Sequence, residues 1–264
     1  MFIAQQPTLF IPHGGGPCFF MNDPQATWTG MATFLRSVPA RLPEPPKAIL
    51  IVSGHWETNG FAFTGAKCPP LIYDYYGFPT ETYTLRYDAP GAPALARKAV
   101  DLLLAAGLQA KVDPERGLDH GVFVPLKVAF PAASIPVVEM SVDLQLDPAL
   151  HIAAGRALSS LRGEGVLIVG SGMSFHNLRG YNDPRFTAPS QQFDAWLAES
   201  LMLKASSRAE RLARWEEAPA ARLSHPRAEH LMPLMVAAGS SAEPGEKIYA
   251  EHVLKTAISG YIFP

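Results

Sequence analysis

Three histidines each follow a short apolar run and lie beside or just beyond glycine. His13 lies in Pro12-His13-Gly14-Gly15-Gly16-Pro17, and His55 in Ser53-Gly54-His55-Trp56. His176 closes Gly170-Ser171-Gly172-Met173-Ser174-Phe175-His176 and precedes Asn177. A neutral imidazole offers a nitrogen lone pair to a divalent transition metal, and it titrates near neutral pH, so it also serves as an acid or base. Neighbouring glycines let backbone and ligand approach closely. His120, in Leu118-Asp119-His120-Gly121, is a fourth histidine beside glycine, and a last group is Ser224-His225-Pro226-Arg227-Ala228-Glu229-His230.

In that last group Glu229 and His230 are both candidates for a third metal ligand. On a helix the two project roughly 100° apart, so one metal takes only one of them. Spacing does not choose between them. Imidazoles with a nearby carboxylate and open coordination positions suit Fe(II) for oxygen chemistry or Zn(II) for hydrolysis. His151, inside an amphipathic stretch, and His252, near the C-terminus with no motif, read as structural. Cys18 reads as a small buried residue. The Gly14–Gly16 run lacks the Lys-Ser/Thr of a phosphate loop, and Ser171 does not complete the G-x-S-x-G of a hydrolase elbow.

Apolar, β-branched runs bounded by turn residues must position these side chains. The pattern predicts buried strands at Thr8–Ile11, Ala48–Val52, Pro136–Met140 and Val166–Val169. It predicts helices over Ala92–Ala106, Pro148–Leu161, Ser190–Lys204 and Pro226–Ala238, with Gly107 and Gly239 as stops and Pro226 at the first helical position. Strand–helix–strand alternation implies an α/β fold: a single domain over residues 1–264 with a central, largely parallel or mixed sheet flanked by helices. The Pro-rich stretch Pro39–Pro46 reads as a loop within it. In such a sheet ligands bind beyond the carboxyl ends of the strands, where His13, His55 and His176 fall.

Composition narrows the functional classes. The chain has 264 residues, a formal charge of -2, 48% hydrophobic and 17% charged side chains. That is too apolar for a disordered chain, and no basic stripe marks a nucleic-acid binder. No apolar run reaches the ~18–20 residues of a membrane-spanning helix. The two cysteines, Cys18 and Cys68, form no C-x-x-C pair, and the N-terminus carries no secretory pattern, so a cytoplasmic protein is expected. Nothing in the charge pattern bears on oligomeric state.

Taken in order, the motifs around His13, His55, Tyr73-Asp74-Tyr75-Tyr76-Gly77-Phe78-Pro79, Asp119-His120-Gly121, Ser174-Phe175-His176-Asn177 and His225–His230 resemble the class III extradiol ring-cleaving dioxygenases, specifically the branch typified by DOPA 4,5-dioxygenase. The resemblance spans about residues 8 to 239. It implies Fe(II) for activity, with Zn(II) sometimes bound in its place. His13, His55 and His230 match the metal ligands, with Glu229 as the fallback for the third. His176 matches the acid/base, which in zinc-loaded relatives approaches the metal, and His120 a second active-site histidine beside substrate or oxygen. The implied partners are a small catechol and dioxygen, and the implied product is a muconic semialdehyde. Relatives commonly have Gly-Ser-Pro after the first histidine, where this chain has Gly-Gly-Gly-Pro, which bears on loop shape and substrate fit. The Tyr73–Phe78 segment reads as a pocket wall or as a packed loop. A zinc hydrolase and a non-catalytic metal-binding protein on the same fold are the alternatives.

Overall fold

A computed structural model describes residues 4–264. Eight strands, β1 (Thr8–Pro12), β2 (Ala48–Thr58), β3 (Phe61–Thr64), β4 (Ala110–Asp113), β5 (Val137–Asp143), β6 (Val166–Gly172), β7 (Glu246–Val253) and β8 (Thr256–Phe263), form one sheet in the order β4-β3-β5-β2-β6-β1-β8-β7. The helices are α1 (Thr29–Ser37), α2 (Pro93–Ala105), α3 (His120–Ala129), α4 (Pro148–Leu158), α5 (Thr187–Leu201), α6 (Ala205–Ala213), α7 (Ala221–Ser224) and α8 (Met232–Gly239). The central strands β5, β2, β6 and β1 pair in parallel. β8 runs antiparallel to β1, β7 to β8, and β3 to β5, so the sheet is mixed.

Alternation along the central strands sorts side chains onto two faces. Phe10, Leu50, Val52, Val138, Met140 and Ile168 join one buried cluster with residues of α2, α4 and α8. Leu9, Ile11, Ile49, Ile51, Val137, Leu167 and Val169 join a second with residues of α1 and α3. Both faces of these strands are dry, which is why they read as continuous apolar runs. The helices carry local signals too. The Asp147 side chain accepts the Ala149 and Leu150 amides at the start of α4, with Pro148 in the first turn. Gly107, at φ +78, follows the end of α2.

The structure departs from the sequence reading in several places. The second strand does not stop at Val52: β2 continues to Thr58 with a shift of register between Val52 and Glu57. His55 lies within that irregularity, not beyond the strand, and a bulge of this kind re-aims a side chain. The helix expected from Pro226 begins at Met232, because a turn through Glu229 and His230 intervenes and Pro233 takes the first-turn position. The 100° argument therefore does not apply to Glu229 and His230. His120 opens α3 instead of lying in a loop. The sequence reading does not place strands β3, β4, β7 and β8, and α1 and α3 lack clear start signals.

His151 is wholly buried at the join of β5 and α4. Its Nδ1 donates to the Asp147 carbonyl (2.7 Å), and its Nε2 accepts the Asp143 amide (3.1 Å), which fixes a neutral tautomer. Burial lowers its pKa to about 4. The unfolded chain binds this proton near pH 6.5 and the folded one does not, so stability is complete above that pH and falls as the pH drops toward 4. A shift of that size removes on the order of 3 kcal/mol once both values are passed. Urea denaturation between pH 4 and 8 should show this acid limb, and His151→Asn should lower stability at neutral pH while making the limb shallower by about one proton.

Candidate metal centre and active site

β1, β6 and β2 are neighbours in the sheet; the carboxyl ends of β1 and β6 deliver His13 and His176, and the irregularity in β2 delivers His55, to one region. The His13 amide donates to the Gly172 carbonyl (3.2 Å), extending the β1–β6 pairing by one residue. His230 reaches the same region from the turn before α8. Its carbonyl accepts the Met173 amide (3.1 Å), so this turn lies directly over the end of β6. Glycine makes that approach possible: a Cβ on Gly172 would land on the His230 carbonyl oxygen.

The nitrogens of His13, His55 and His230 lie within 4.8 Å of one another. Each ring turns one nitrogen away from the others. His13 Nδ1 donates to the Gly14 carbonyl (2.9 Å), and His230 Nδ1 donates to Glu229 Oε1 (2.8 Å). His55 Nδ1 faces Asp74 Oδ2 at 3.7 Å. These oxygens fix the tautomers, leaving the Nε2 lone pairs to converge. His13 Nε2 is buried with no hydrogen-bond partner, and His55 Nε2 faces His230 Nε2 at 3.1 Å. An orphaned buried nitrogen beside two imidazole nitrogens that point at each other fits a divalent cation. Burial, then mutual repulsion with neighbouring histidines, holds His13 and His230 well below the usual histidine range. The same causes take His55 down to about 4. All three are thus neutral at pH 7, the form that ligates metal.

Glu229 lies on the outer side of His230. Its Oε1 accepts from both His230 Nδ1 and His176 Nδ1 (3.2 Å), and Oε2 faces Arg227 Nη1 at 3.5 Å. Burial would raise its pKa, but the hydrogen bonds from His176 and His230 outweigh that and hold it well below the carboxylate range. His176 stacks on His230, with ring centroids 3.4 Å apart. His120 stands 4.0 Å from the His55 ring.

Two features escaped the sequence reading. Asp74 Oδ1 accepts both the His120 amide (2.9 Å) and His120 Nδ1 (2.8 Å), while its Oδ2 faces His55. One carboxylate thus orients two of the clustered imidazoles. The only available signal was an acidic residue set among tyrosines. The second feature is a buried ionic network behind His55. The His55 amide donates to Ser53 Oγ (3.2 Å), and Ser53 Oγ donates to Asp119 Oδ1 (2.8 Å). Arg116 Nη2 pairs with Asp119 Oδ2 (2.9 Å), and the Asp119 amide donates to Glu139 Oε2 (3.0 Å). Burial, then the charge of Asp119, drives the Glu139 pKa well up.

A cleft of ≈ 480 Å³ opens over the imidazoles, lined by His13, His55, His120 and His176 and by an apolar wall that includes Trp28 and Phe78. That volume suits a small organic ligand. Tyr75 packs behind it, 5.7 Å from the His120 ring. The Tyr73–Phe78 segment therefore does both things expected of it, with Phe78 in the wall and Tyr75 in the packing. His225 is buried against the Ser174 carbonyl (3.0 Å), and Cys18 is a free, buried thiol at the cleft's side.

Residues 7–262 match the family described as the catalytic LigB subunit of aromatic ring-opening dioxygenase. The chain belongs to this family. It is 41% identical over 261 residues to a 4,5-DOPA dioxygenase extradiol of Portulaca grandiflora, covering 96% of this chain and 92% of that one. It is 39% identical to the dioxygenase tasH of Hapsidospora irregularis, covering 97% of this chain and 84% of the relative. The crystal structure of an uncharacterized protein from Escherichia coli K12 superposes with a TM-score of 0.78 at 28% identity, over 98% of this chain and all of the other. The α/β fold and the ring-opening dioxygenase activity follow from this membership. These dioxygenases are metal-dependent, and the imidazole cluster supplies a fitting donor set. Among the described residues, no helix is long and apolar enough to cross a membrane.

Asp74→Asn keeps the size of the side chain and removes its charge. It should weaken divalent-metal binding at the imidazole cluster by about tenfold or more, as loss of a ligand-orienting carboxylate does. Competition with a chromophoric chelator reads this directly; unchanged affinity would confine the influence of Asp74 to His120.

Proposed function

We propose that this dioxygenase opens the ring of a catechol next to its diol, using dioxygen and Fe(II), and releases a muconic semialdehyde. The convergence of three partner-oriented imidazole nitrogens at the foot of a substrate-sized cleft carries this reading. His13, His55 and His230 hold the metal, with Glu229 fixing His230 from outside. Zn(II) fits the same nitrogens. The catalytic unit is one domain spanning the chain. Two unpaired cysteines, Cys18 and Cys68, support a reducing, cytoplasmic setting.

Fe(II) in this place supplies Lewis acidity toward the diol oxygens and redox chemistry toward dioxygen. Both oxygen atoms end in the product, so the reaction needs no external reductant. The chain's own residues do the rest. His176 Nδ1 is committed to Glu229, which leaves Nε2 to take a proton from a substrate hydroxyl and return it to the opened product. The Glu229 carboxylate supports the cation that His176 becomes in between. His120 Nδ1 is committed to Asp74, so its Nε2 accepts a hydrogen bond from the second hydroxyl and sets the ring's orientation. The apolar wall keeps water from the reacting centre.

Anaerobic loading with Fe(II), followed by catechols in air, should give the yellow absorbance of a semialdehyde. Zinc-loaded protein and His13→Ala should both stay colourless. His176→Gln should keep the metal and lose roughly 10²–10⁴-fold in kcat, the usual share of a proton-transferring side chain. Hydrolytic turnover by the zinc form, with no colour from the iron form, would overturn the assignment in favour of a hydrolase.

A further inference from the structure

Above the imidazole floor, the cleft is walled by the backbone of Gly14–Gly16 and by Met21, Trp28, Phe78, Leu178 and Tyr181. None of the described residues lining it is a lysine, arginine, aspartate or glutamate. Its few other polar groups are already committed. The Tyr181 hydroxyl turns back to donate to the Phe175 carbonyl (3.0 Å). Cys18 Sγ accepts the Gly15 amide (3.4 Å), and burial pushes this thiol up to about 12, so it offers no charge.

Several charged side chains nearby are engaged elsewhere, while Arg36 is exposed and lines the neighbouring cleft together with Asp23. Arg116 bonds Asp119 and lies over Trp56, and Arg227 is held by Glu57 and Glu229. Lys127 donates to the Arg86 carbonyl. Asp23 accepts the Trp28 amide and lines the neighbouring cleft. Arg179, next to Leu178 in the chain, is exposed and outside the lining. A carboxylate or ammonium held against the wall of this cleft would lose hydration and meet no opposite charge among the wall residues. An alkyl or aryl group would instead bury apolar surface against Trp28 and Phe78. The wall is also fixed in shape: Gly16 has φ +55, and a Cβ there would come within 2.8 Å of the Phe78 ring. Phe78 therefore lies directly on the loop backbone.

Resting on the dioxygenase reading, we propose that the site selects catechols whose ring substituent is uncharged and apolar, and discriminates against those bearing a carboxylate or an amino-acid side chain. Met21, Phe78 and Leu178 are the specificity-determining side chains.

Matched pairs test this: methyl 3,4-dihydroxybenzoate against 3,4-dihydroxybenzoate, and 4-propylcatechol against L-DOPA. Binding to the redox-inert zinc-loaded protein is measured by calorimetry without air, and kcat/KM of the iron-loaded enzyme is measured in parallel. The uncharged member of each pair should bind about tenfold tighter or more, the loss expected when a charge is buried unpaired. Leu178→Lys, at an exposed rim position, should close or invert the gap for 3,4-dihydroxybenzoate, whereas Arg179→Ala should leave it as it was. Equal or tighter binding of the charged members, with ring opening intact, would overturn the selectivity while leaving the dioxygenase reading in place; it would assign the carboxylate to the backbone amides of the Gly14–Gly16 loop. Loss of charged-catechol binding in Arg179→Ala would overturn it too, placing a cation at the mouth. Binding and turnover of no catechol would sink both.

Discussion

Three imidazoles, two buried and one half-buried, cannot share one small volume as cations, and as neutral rings they leave lone pairs with nothing to accept. That constraint organises the sheet edge. Each ring is turned by an oxygen on its outer side: the Gly14 carbonyl, Asp74 or Glu229. The inner nitrogens then lie within 4.8 Å of one another, an arrangement that could hold a metal ion. The proposed proton-transferring groups are held by the same carboxylates, since Glu229 also binds His176 and Asp74 also binds His120. Two acidic residues thus contact both the clustered imidazoles and the groups proposed to handle protons, so in the proposed reaction disturbance of either carboxylate reaches both functions.

Close backbone approach makes this geometry available. The turn carrying Glu229 and His230 rests on the irregularity in β2 and the end of β6, where Gly54 and Gly172 leave no Cβ in the way. A Cβ on Gly54 would come within 2.9 Å of the Glu229 carbonyl oxygen. Behind the sheet edge, Ser53, Asp119, Arg116 and Glu139 tie the β2 irregularity to the start of α3. Two buried carboxyl groups lie against one guanidinium there, and burial with the charge of Asp119 favours the protonated form of Glu139. The position of this network, between the strand that carries His55 and the helix that carries His120, identifies what it holds in register.

Floor and walls of the cleft have opposite characters. Polar chemistry is concentrated in the imidazoles at the bottom, and the sides are glycine backbone, aromatic rings and aliphatic side chains. The diol and oxygen belong at the floor in the proposed reaction, while the rest of the substrate meets the walls. On the proposed reading, reactivity and selectivity are carried by different residues, and the walls can change without disturbing the imidazole cluster.

Local patterns in the chain determined the central strands, the α/β class and the order in which His13, His55, His120, His176 and His230 appear. Strand burial writes itself as continuous apolar residues, and close approach as glycine, so both are visible without a partner. The end of β2, the start of α8 and the helical setting of His120 were not visible, because a bulge and two capping turns are settled by what packs against them. Strand β7 was hidden for the same reason, being a half-exposed strand at the sheet's edge, and β8, though buried, is interrupted by Ser259 and Gly260 and so shows no continuous apolar run. Nor did the sequence decide the orientation of Glu229 and His230, or the reach of Asp74 to His120. His230 meets His55 across 175 residues, and Asp74 meets His120 across 46. Such contacts leave no periodicity in the chain. Only the folded sheet edge brings these residues together, and there the choice falls to geometry: which nitrogen faces inward, and which oxygen holds it from behind.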